Sequence, residues 1–397
     1  MKKVVFLTHS PPLQNKGSGL SVLLYSILSA LAGCEKSVIT FCGETKVDPD
    51  EIKKDNADTE TIICDGLFNK LFRYKTAKLY RTFLMGLSFI FSLPKIGRSI
   101  DKPGTLVITA VGASAKPLWK FLLLKALFTK AKHGLYIVDD LELINKKVNN
   151  KTELFLVRLF LKRSIMRCDF LLVISNGLQD KYKAELGVDS LVLLPHFAKR
   201  AGLLPKSPQK TFTFLFTGGL SFLYNAPLLK FAGVLDMINK ERLCECTLEL
   251  KVQTYTPKSE FERLGFKGPT SSYSTVNNRG ELVAIYNNTD CFIVPYTFEA
   301  ADKEIVKTSF PQKIAELIQY NRPILLFGPA YSSVAVFFAN NRLNYICSSE
   351  DITDLKQAII TVVSQYQYFN NEDYIKAYDA FLSADSVNSI FNDLSNL

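Results

Sequence analysis

Short runs of apolar residues alternate with segments of helical spacing along almost the whole chain. In the first half, the apolar runs lie at 2–7, 38–41, 105–108, 134–138, 170–174 and 191–194. Between them, residues 21–31 place leucines and isoleucines three and four positions apart, and residues 152–166 read as a basic amphipathic helix. Strands that are apolar on both faces and are separated by helices indicate a parallel sheet covered on both sides. The pattern therefore predicts an α/β, doubly wound fold.

This alternation is interrupted once, near the middle of the chain. Residues 195–209 combine prolines and a glycine with Lys and Ser, a composition typical of a linker. After it, apolar runs recur at 212–216, 247–252, 291–294 and 323–327, with helical spacing at 227–238, 282–287, 311–320, 332–340 and 355–366. We therefore predict two tandem Rossmann-like domains that face a cleft. The domains span residues 1–200 and 210–375, and residues 376–397 form a terminal helical segment.

Composition narrows the class of protein. The chain has 397 residues, of which 47% are hydrophobic and 22% charged, which is ordinary for a globular protein and excludes a disordered or fibrous chain. Its eight cysteines include no C-x2-C pair and it has only three histidines, so we expect a reduced chain without a metal site. The charge-free windows at 17–34 and 323–341 are interrupted by Gly, Ser or Pro, so we predict no transmembrane helix.

Positive charge is concentrated in one part of the first domain. Residues 66–132 contain 13 basic residues and a single acidic one, interleaved with Leu and Phe. Such stretches suit an anionic membrane surface, which we favour over nucleic acid and over a plain solvated face. We therefore expect a cytoplasmic protein held peripherally on the inner face of the plasma membrane, with no nucleic-acid partner. The candidate membrane-facing residues are Lys70, Arg73, Lys75, Lys78 and Arg81.

A glycine-containing loop follows the first predicted strand. Gly17, Ser18 and Gly19 precede a helix, and glycines there let backbone N–H groups approach an anion. The loop is not G-x-G-x-x-G, because Val22 stands at the third glycine position, and no Walker Gly-Lys-Ser/Thr follows. Nicotinamide binding and phosphate-loop hydrolysis lose support, and a plain turn stays as the alternative.

Acidic residues follow the fourth predicted strand. Asp139 and Asp140 lie where ligands bind in doubly wound folds, outside the carboxyl end of a strand. One carboxylate suits a general base and the other can bind sugar hydroxyls. His9, just past the first strand, is a third catalytic candidate. The alternatives are an aspartate helix cap and a structural histidine.

The second domain carries a candidate phosphate site. Lys307 and Ser309 lie in a loop, Phe310 and Pro311 follow, and Pro311 is favourable at the start of a helix. Helix N–H groups with Ser309 and Lys313 can bind a diphosphate, while Glu316 can accept both ribose hydroxyls. Gly218 and Gly219 end the first strand of this domain. The alternative is an ordinary proline-started helix with solvated charges.

The order of these residues is similar to a known motif. Ser309, Pro311, Lys313 and Glu316, followed by Asn321, Pro323 and Ile324, resemble the donor-site motif Ser-x-Pro-x-Lys-x-x-Glu with Gly/Asn-x-Pro-Ile. That motif belongs to nucleotide-sugar-dependent glycosyltransferases with the glycosyltransferase B fold, of the bacterial polysaccharide families 4 and 1. Segments 11–19, 167–176 and 214–219 resemble other characteristic segments of these enzymes, so the resemblance covers about residues 3–345.

The resemblance implies an activity. A sugar would pass from a nucleotide sugar in the second domain to a lipid-linked or membrane-proximal glycan acceptor in the first, in bacterial surface polysaccharide or lipopolysaccharide assembly. No metal and no cofactor besides the donor substrate is implied. The terminal helix is expected to pack back on the first domain, as in similar proteins.

Two departures from the motif stand out. Thr308 replaces the first glutamate of the Glu-x7-Glu pattern, and Gly219 and Tyr224 stand where these enzymes carry Arg and Lys. Charge for the diphosphate must then come from Lys251, Lys307 or Lys313. Retaining and inverting chemistry both stay open. The alternative functions are a nucleotide-sugar epimerase of the same fold and a non-catalytic sugar-nucleotide-binding protein.

Overall fold

A computed structural model describes residues 3–14, 19–41, 48–64, 78–197, 210–266, 271–276 and 279–396. The chain forms two compact units. Met1–Ala198 together with Ala384–Leu397 form the N-terminal unit, and Lys199–Ser383 form the C-terminal unit. Most of the predicted linker, residues 198–209, lies outside the described residues. Among the described residues, no helix has the length and apolar character required to cross a bilayer.

The N-terminal unit is built on a parallel sheet with the strand order β3-β2-β1-β4-β5-β6-β7. Its strands are β1 (Lys3–Leu7), β2 (Glu35–Thr40), β3 (Glu60–Ile63), β4 (Thr105–Val111), β5 (Lys132–Ile137), β6 (Phe170–Val173) and β7 (Leu191–Val192). Its helices are α1 (Gly19–Ala30), α2 (Pro49–Asp55), α3 (Lys78–Ile100), α4 (Lys116–Leu127), α5 (Leu141–Lys147), α6 (Lys151–Ile165) and α7 (Asn176–Leu186).

The core of this unit explains the continuous apolar runs. All five residues of β1 and all seven of β4 are buried, because helices cover both faces of these central strands. The last helix of the chain closes one face. Its Phe391 ring lies 6.4 Å from that of Phe6, and Asn388 donates to the Ala30 carbonyl at 2.9 Å. The last helix of the chain therefore packs on the N-terminal unit, whereas residues 376–383, which the sequence assigned to the same terminal segment, belong to the C-terminal unit.

The C-terminal unit repeats the same topology with the strand order β10-β9-β8-β11-β12-β13, again parallel. Its strands are β8 (Thr211–Thr217), β9 (Thr247–Gln253), β10 (Ser271–Ser274), β11 (Cys291–Pro295), β12 (Ile324–Phe327) and β13 (Ile346–Cys347). Its helices are α8 (Asn225–Glu241), α9 (Lys258–Arg263), α10 (Arg279–Asn287), α11 (Lys303–Thr308), α12 (Lys313–Leu317), α13 (Ser333–Asn340), α14 (Ile352–Gln365) and α15 (Glu372–Phe381), with α16 (Ala384–Asn396) belonging to the N-terminal unit.

Each sheet contains a topological switch point. The strand order reverses between β1 and β4 in one unit and between β8 and β11 in the other. Ligands of doubly wound folds bind at such points, outside the carboxyl ends of the strands. His9, which follows β1, and Gly218 and Gly219, which follow β8, therefore lie at the edge of their sheet where binding sites form.

One predicted element differs in extent. The helix expected over residues 311–320 is the short α12, and Pro311 lies in the turn before it, where its carbonyl accepts from Ile314 N–H at 3.1 Å. After α12 the chain tightens, since Tyr320 N–H donates to the Leu317 carbonyl. Buried Arg322 then donates to the Thr289 carbonyl at 2.9 Å and fixes this turn. Tertiary anchoring, which the helical spacing does not record, shortens the helix.

Candidate functional site

A chain of buried polar side chains lies at the carboxyl ends of β8 and β9. Thr217, the last residue of β8, donates its hydroxyl to Gln253 Oε1 at 2.7 Å, and Gln253 is the last residue of β9. The Thr217 hydroxyl also shares a hydrogen bond of 3.3 Å with the hydroxyl of Tyr286 on α10. All three residues are buried. The two strand ends and α10 are thereby joined by polar contacts rather than by apolar packing alone.

Lys313 and Glu316 continue this chain. The Lys313 ammonium donates to the Tyr286 hydroxyl at 3.4 Å and to Glu316 Oε2 at 3.2 Å. Glu316 is only 1% exposed, so its carboxylate is held within the protein rather than in solvent. Burial alone would lower the pKa of Lys313, but the Glu316 carboxylate beside it favours the charged ammonium, and the pKa of Lys313 lies above its usual value. Burial raises the pKa of the Tyr286 hydroxyl, so it is neutral at pH 7 while Lys313 keeps its charge.

These linking residues were missed by the sequence reasoning. Thr217 and Gln253 are polar residues at the carboxyl ends of buried strands, a signal that could have found them. Tyr286 sits among the apolar residues of a helical pattern, and nothing in its spacing distinguishes it from a core residue. The structure thus brings the predicted Lys313 and Glu316 together and adds the side chains that hold them.

Ser309 lies on a second, aromatic side of this region. The Tyr296 hydroxyl donates to Ser309 Oγ at 3.4 Å. The Tyr224 ring lies 5.7 Å from that of Tyr296 and 5.8 Å from that of Phe216. Tyr224 therefore stands beside the partner of Ser309, at the position where the resembling enzymes carry a lysine. Phe310 is buried against Phe337, with ring centroids 5.4 Å apart, and serves the core.

The two glycines after β8 leave the backbone open. Gly218 has φ 145°, a conformation that favours glycine, and its N–H donates to the Gln253 carbonyl at 3.0 Å. A β-carbon at Gly219 would meet only the Tyr255 ring, at 3.9 Å. A ligand can thus approach the main chain closely at the switch point.

The remaining donor-site candidates have other surroundings. The Lys307 ammonium pairs with Glu304 at 3.0 Å on α11, with both side chains well exposed. Lys251 lies within β9, paired in register with Leu215 and Ser272. Thr308 is buried and donates its hydroxyl to the Glu304 carbonyl at 2.9 Å, within its own helix. The Thr308 side chain therefore bonds within its own helix, and position 308 supplies no carboxylate.

In the N-terminal unit, Asp139 lies next to the start of α1. A β-carbon at Gly112, just after β4, would lie 3.9 Å from Asp139 Oδ2 and 3.3 Å from the Leu20 side chain. Burial, together with the charge of Asp140, raises the pKa of Asp139 to about 7. A carboxyl group with such a pKa can accept or release a proton near neutral pH. Gly19 is the first residue of α1, while Gly17 and Ser18 lie outside the described residues.

Asp140 and His9 are engaged in the structure. Asp140 caps α5 by accepting from Leu143 N–H at 3.2 Å, and it binds the Lys181 ammonium at 2.6 Å. His9 stacks on the Phe41 ring at 4.6 Å, and its Nε2 lies 2.5 Å from the ammonium of buried Lys120. The two predicted aspartates thus differ, because Asp140 is a cap in an ion pair while Asp139 carries the raised pKa.

The predicted membrane-facing residues lie in or beside a segment outside the described residues. Lys70, Arg73 and Lys75 lie outside the described residues, and the side chains of Lys78 and Arg81 at the start of α3 are also outside them. In the part of the chain that is described, no group of three or more His, Cys, Asp or Glu side chains is placed to hold a metal ion.

The comparisons with known proteins support the fold. No protein-family model matches the sequence, and no curated protein matches it. Among solved structures, TarM is similar over 100% of this chain and 99% of its own, with a TM-score of 0.67 and 11% identity. A point mutant of TarM from S. aureus, solved with fondaparinux, α-GlcNAc-glycerol and UDP, is similar over 100% of both chains, with a TM-score of 0.65 and 11% identity.

A third similar structure is the N-terminal domain of the Candida albicans trehalose-6-phosphate phosphatase. It is 13% identical, has a TM-score of 0.60 and matches over 99% of this chain and 96% of its own. TarM is a glycosyltransferase with the glycosyltransferase B fold. The present chain therefore has the glycosyltransferase B fold, and the fold class expected from the sequence is confirmed.

Proposed function

We propose that this protein is a glycosyltransferase that takes a sugar from a nucleotide sugar bound in the C-terminal unit. The observation that carries the proposal is the buried Glu316 carboxylate beside the charged Lys313, at the strand ends of a glycosyltransferase B fold. The similar S. aureus TarM structure contains UDP, which supports a nucleotide-sugar donor.

The side chains fit the parts of such a donor. Glu316 can accept hydrogen bonds from both ribose hydroxyls, because a carboxylate has lone pairs for two donors. Lys313, held by Tyr286, supplies positive charge for the diphosphate, and the open backbone at Gly219 can add an N–H donor. Lys251, Lys307 and Ser309 stay candidates for further contacts with the diphosphate.

The transfer step balances without a redox partner. The acceptor hydroxyl oxygen bonds to the anomeric carbon, while the bond from that carbon to the diphosphate oxygen breaks. The diphosphate leaves with the electron pair, and the hydroxyl proton goes to a carboxylate, for which Asp139 is the candidate in the N-terminal unit. Stabilising the negative charge on the leaving diphosphate is then the main catalytic contribution of the C-terminal unit.

The acceptor class is the second part of the proposal. We propose a lipid-linked or membrane-proximal glycan, in bacterial surface polysaccharide or lipopolysaccharide assembly, with the protein peripheral on the inner face of the plasma membrane. The basic and apolar composition of residues 66–132 supports a membrane-proximal acceptor. The α-GlcNAc-glycerol in the TarM structure supports a glycan acceptor.

A donor and acceptor panel tests the function. The protein is incubated with radiolabelled UDP-, GDP- and CMP-sugars and a bacterial membrane extract, with Glu316→Ala as the donor-site control. Transfer of the radiolabelled sugar to the lipid fraction by the wild type, and its loss in Glu316→Ala, would support the proposed transferase activity. Isomerised donor without transfer indicates an epimerase instead, and binding without turnover indicates a non-catalytic sugar-nucleotide-binding protein.

A further inference from the structure

The exposed side of α6 carries large apolar side chains. Phe155, Leu159 and Met166 are exposed by 65%, 36% and 56%. Met166 directly follows the last residue of α6, Ile165, and still has helical backbone angles. At about 100° per residue, the three side chains therefore fall within an arc of about 40° on one face of the helix. We call these three residues the apolar stripe of α6. Single exposed apolar residues are ordinary, but a stripe on one helix marks an interaction surface.

Basic residues accompany this stripe. Lys151, Lys162 and Arg163 are exposed, and within the described part of the chain none of them forms an ion pair. Lys151 lies in the first turn of α6, and Lys162 and Arg163 lie in the last. We call these three residues the basic flank of α6.

The single acidic residue of α6 points elsewhere. Glu153 accepts from the Ala115 N–H at 2.9 Å, at the start of α4, and so faces the body of the unit. Val157, Ser164 and Ile165 form the buried side of the helix. The exposed side therefore combines apolar area and positive charge without a carboxylate of its own helix.

The position of α6 relates this surface to the candidate acceptor groups. The contact of Glu153 with Ala115 places the first turn of α6 beside the start of α4, which follows β4 at the carboxyl edge of the sheet. Asp139 lies at that same edge, after β5. A surface that docks along α6 therefore adjoins the edge where an acceptor would be deprotonated.

We propose that the exposed side of α6 docks on a bilayer that contains anionic lipids. The apolar stripe enters the boundary between headgroups and acyl chains, and the basic flank contacts the lipid phosphates. A nucleic acid would satisfy the basic flank but would leave Phe155 and its neighbours in water, so the combination favours a membrane. The proposal adds a defined docking surface to the proposed function and does not depend on catalysis.

Vesicle co-sedimentation of the full chain tests this docking. Vesicles of phosphatidylcholine with phosphatidylglycerol are compared with pure phosphatidylcholine, at low and at physiological salt. Neutralising the flank (Lys151→Gln, Lys162→Gln, Arg163→Gln) should weaken binding to anionic vesicles at least about tenfold. Replacing the stripe (Phe155→Ser, Leu159→Ser, Met166→Ser) should also weaken it about tenfold and leave a residual binding that salt removes.

Matched controls lie on the C-terminal unit. The charge control is Lys240→Gln with Lys258→Gln and Arg263→Gln, and the apolar control is Met237→Ser with Leu243→Ser, all at exposed positions. Both controls should bind vesicles like the wild type. Calorimetry with UDP should give the same affinity in all variants, which separates loss of docking from failure of the donor-site proposal.

A tryptophan probe serves if a triple variant does not fold. Phe155→Trp should shift its fluorescence emission to the blue with anionic vesicles, while Met237→Trp should not. Three results would each overturn the proposed docking surface. The first is wild-type vesicle binding by the α6 variants, and the second is a loss of binding only on changing Lys75, Lys78 and Arg81. The third is tighter binding to RNA than to vesicles at equal salt. Absence of wild-type binding to anionic vesicles at low salt would overturn it as well.

Discussion

The two units share one strand order but differ in the chemistry at their switch points. In the C-terminal unit, hydrogen bonds connect Thr217 to Tyr286 and then to Lys313 and Glu316. In the N-terminal unit, Asp139 makes no such chain with its neighbours among the described residues, and Asp140 is drawn into an ion pair with Lys181. The same architecture thus holds a fixed cation in one unit and a carboxyl group with a raised pKa in the other.

This difference indicates that the two units are suited to different chemical tasks. A buried hydrogen-bonded network holds its charges in one arrangement, which suits the recognition of a charged donor. A carboxyl group whose charged form is disfavoured by burial suits proton transfer near pH 7. If the comparison is correct, substitutions in the C-terminal unit act on donor affinity and those at Asp139 act on pH dependence.

The largest expected effect is on donor binding by Glu316→Ala. Removing the carboxylate takes away the proposed acceptor for the ribose hydroxyls and should weaken nucleotide-sugar binding by about 2–3 kcal/mol. Isothermal calorimetry measures this loss, with Glu304→Ala as a control of the same charge change at an exposed position. Unchanged affinity in Glu316→Ala would remove Glu316 from the donor site.

The next effect concerns the cation. Lys313→Ala should weaken donor binding by about 2 kcal/mol, because in the proposed site the diphosphate loses a charged hydrogen-bond partner. Lys307→Ala should change it by less than about 0.5 kcal/mol, because Lys307 is exposed and forms a surface pair with Glu304. Calorimetry on both variants compares the two lysines directly, and a larger effect at Lys307 would move the diphosphate toward α11.

The third expectation concerns the pH dependence of stability. The folded-state pKa of Asp139, about 7, lies above its unfolded value, so the folded protein binds the proton more tightly between about pH 4 and pH 7. The free energy of unfolding should therefore fall as pH rises through this window and then level off above about pH 7. Asp139→Asn should lack this fall, as measured by urea unfolding at several pH values.

Asp189→Asn is the matched control, since Asp189 is exposed and forms a surface ion pair with Lys183. It should keep the wild-type pH dependence. Activity gives a second measurement, because transfer by the wild type should rise with pH through about 7 and Asp139→Asn should lose that rise. The same stability profile in wild type and Asp139→Asn would contradict the raised pKa.

The smallest expected effect is at Tyr286→Phe. The variant removes the hydroxyl that holds Lys313 and should weaken donor binding by about 1 kcal/mol, the net value of one hydrogen bond. Tyr374→Phe is the control, because its buried hydroxyl accepts from Ile324 N–H and has no contact with Lys313. Stability should fall in both variants, but donor affinity only in Tyr286→Phe. Equal affinities would reduce Tyr286 to a core residue.

Much of the fold could be predicted from the sequence, and the strands that were missed lie at the edges of the two sheets. Strands buried on both faces, such as β1 and β4, leave continuous apolar runs that mark their position. The edge strands β3, β10 and β13 were not predicted. Glu60–Ile63 and Ser271–Ser274 are half-exposed and carry polar residues, and Ile346–Cys347 has only two residues. A strand at the edge of a sheet does not need an apolar sequence.

The sequence by itself determined the doubly wound fold and the candidate donor motif with Lys313 and Glu316. Buried strands and short motifs both consist of residues that are close together in the sequence. Only the tertiary structure decided which side chains complete the site. Thr217, Gln253 and Tyr286 are far apart in the chain and meet only because parallel strands end at one edge of the sheet. The different environments of Asp139 and Asp140 likewise depend on burial and on Lys181, a partner that no local pattern specifies.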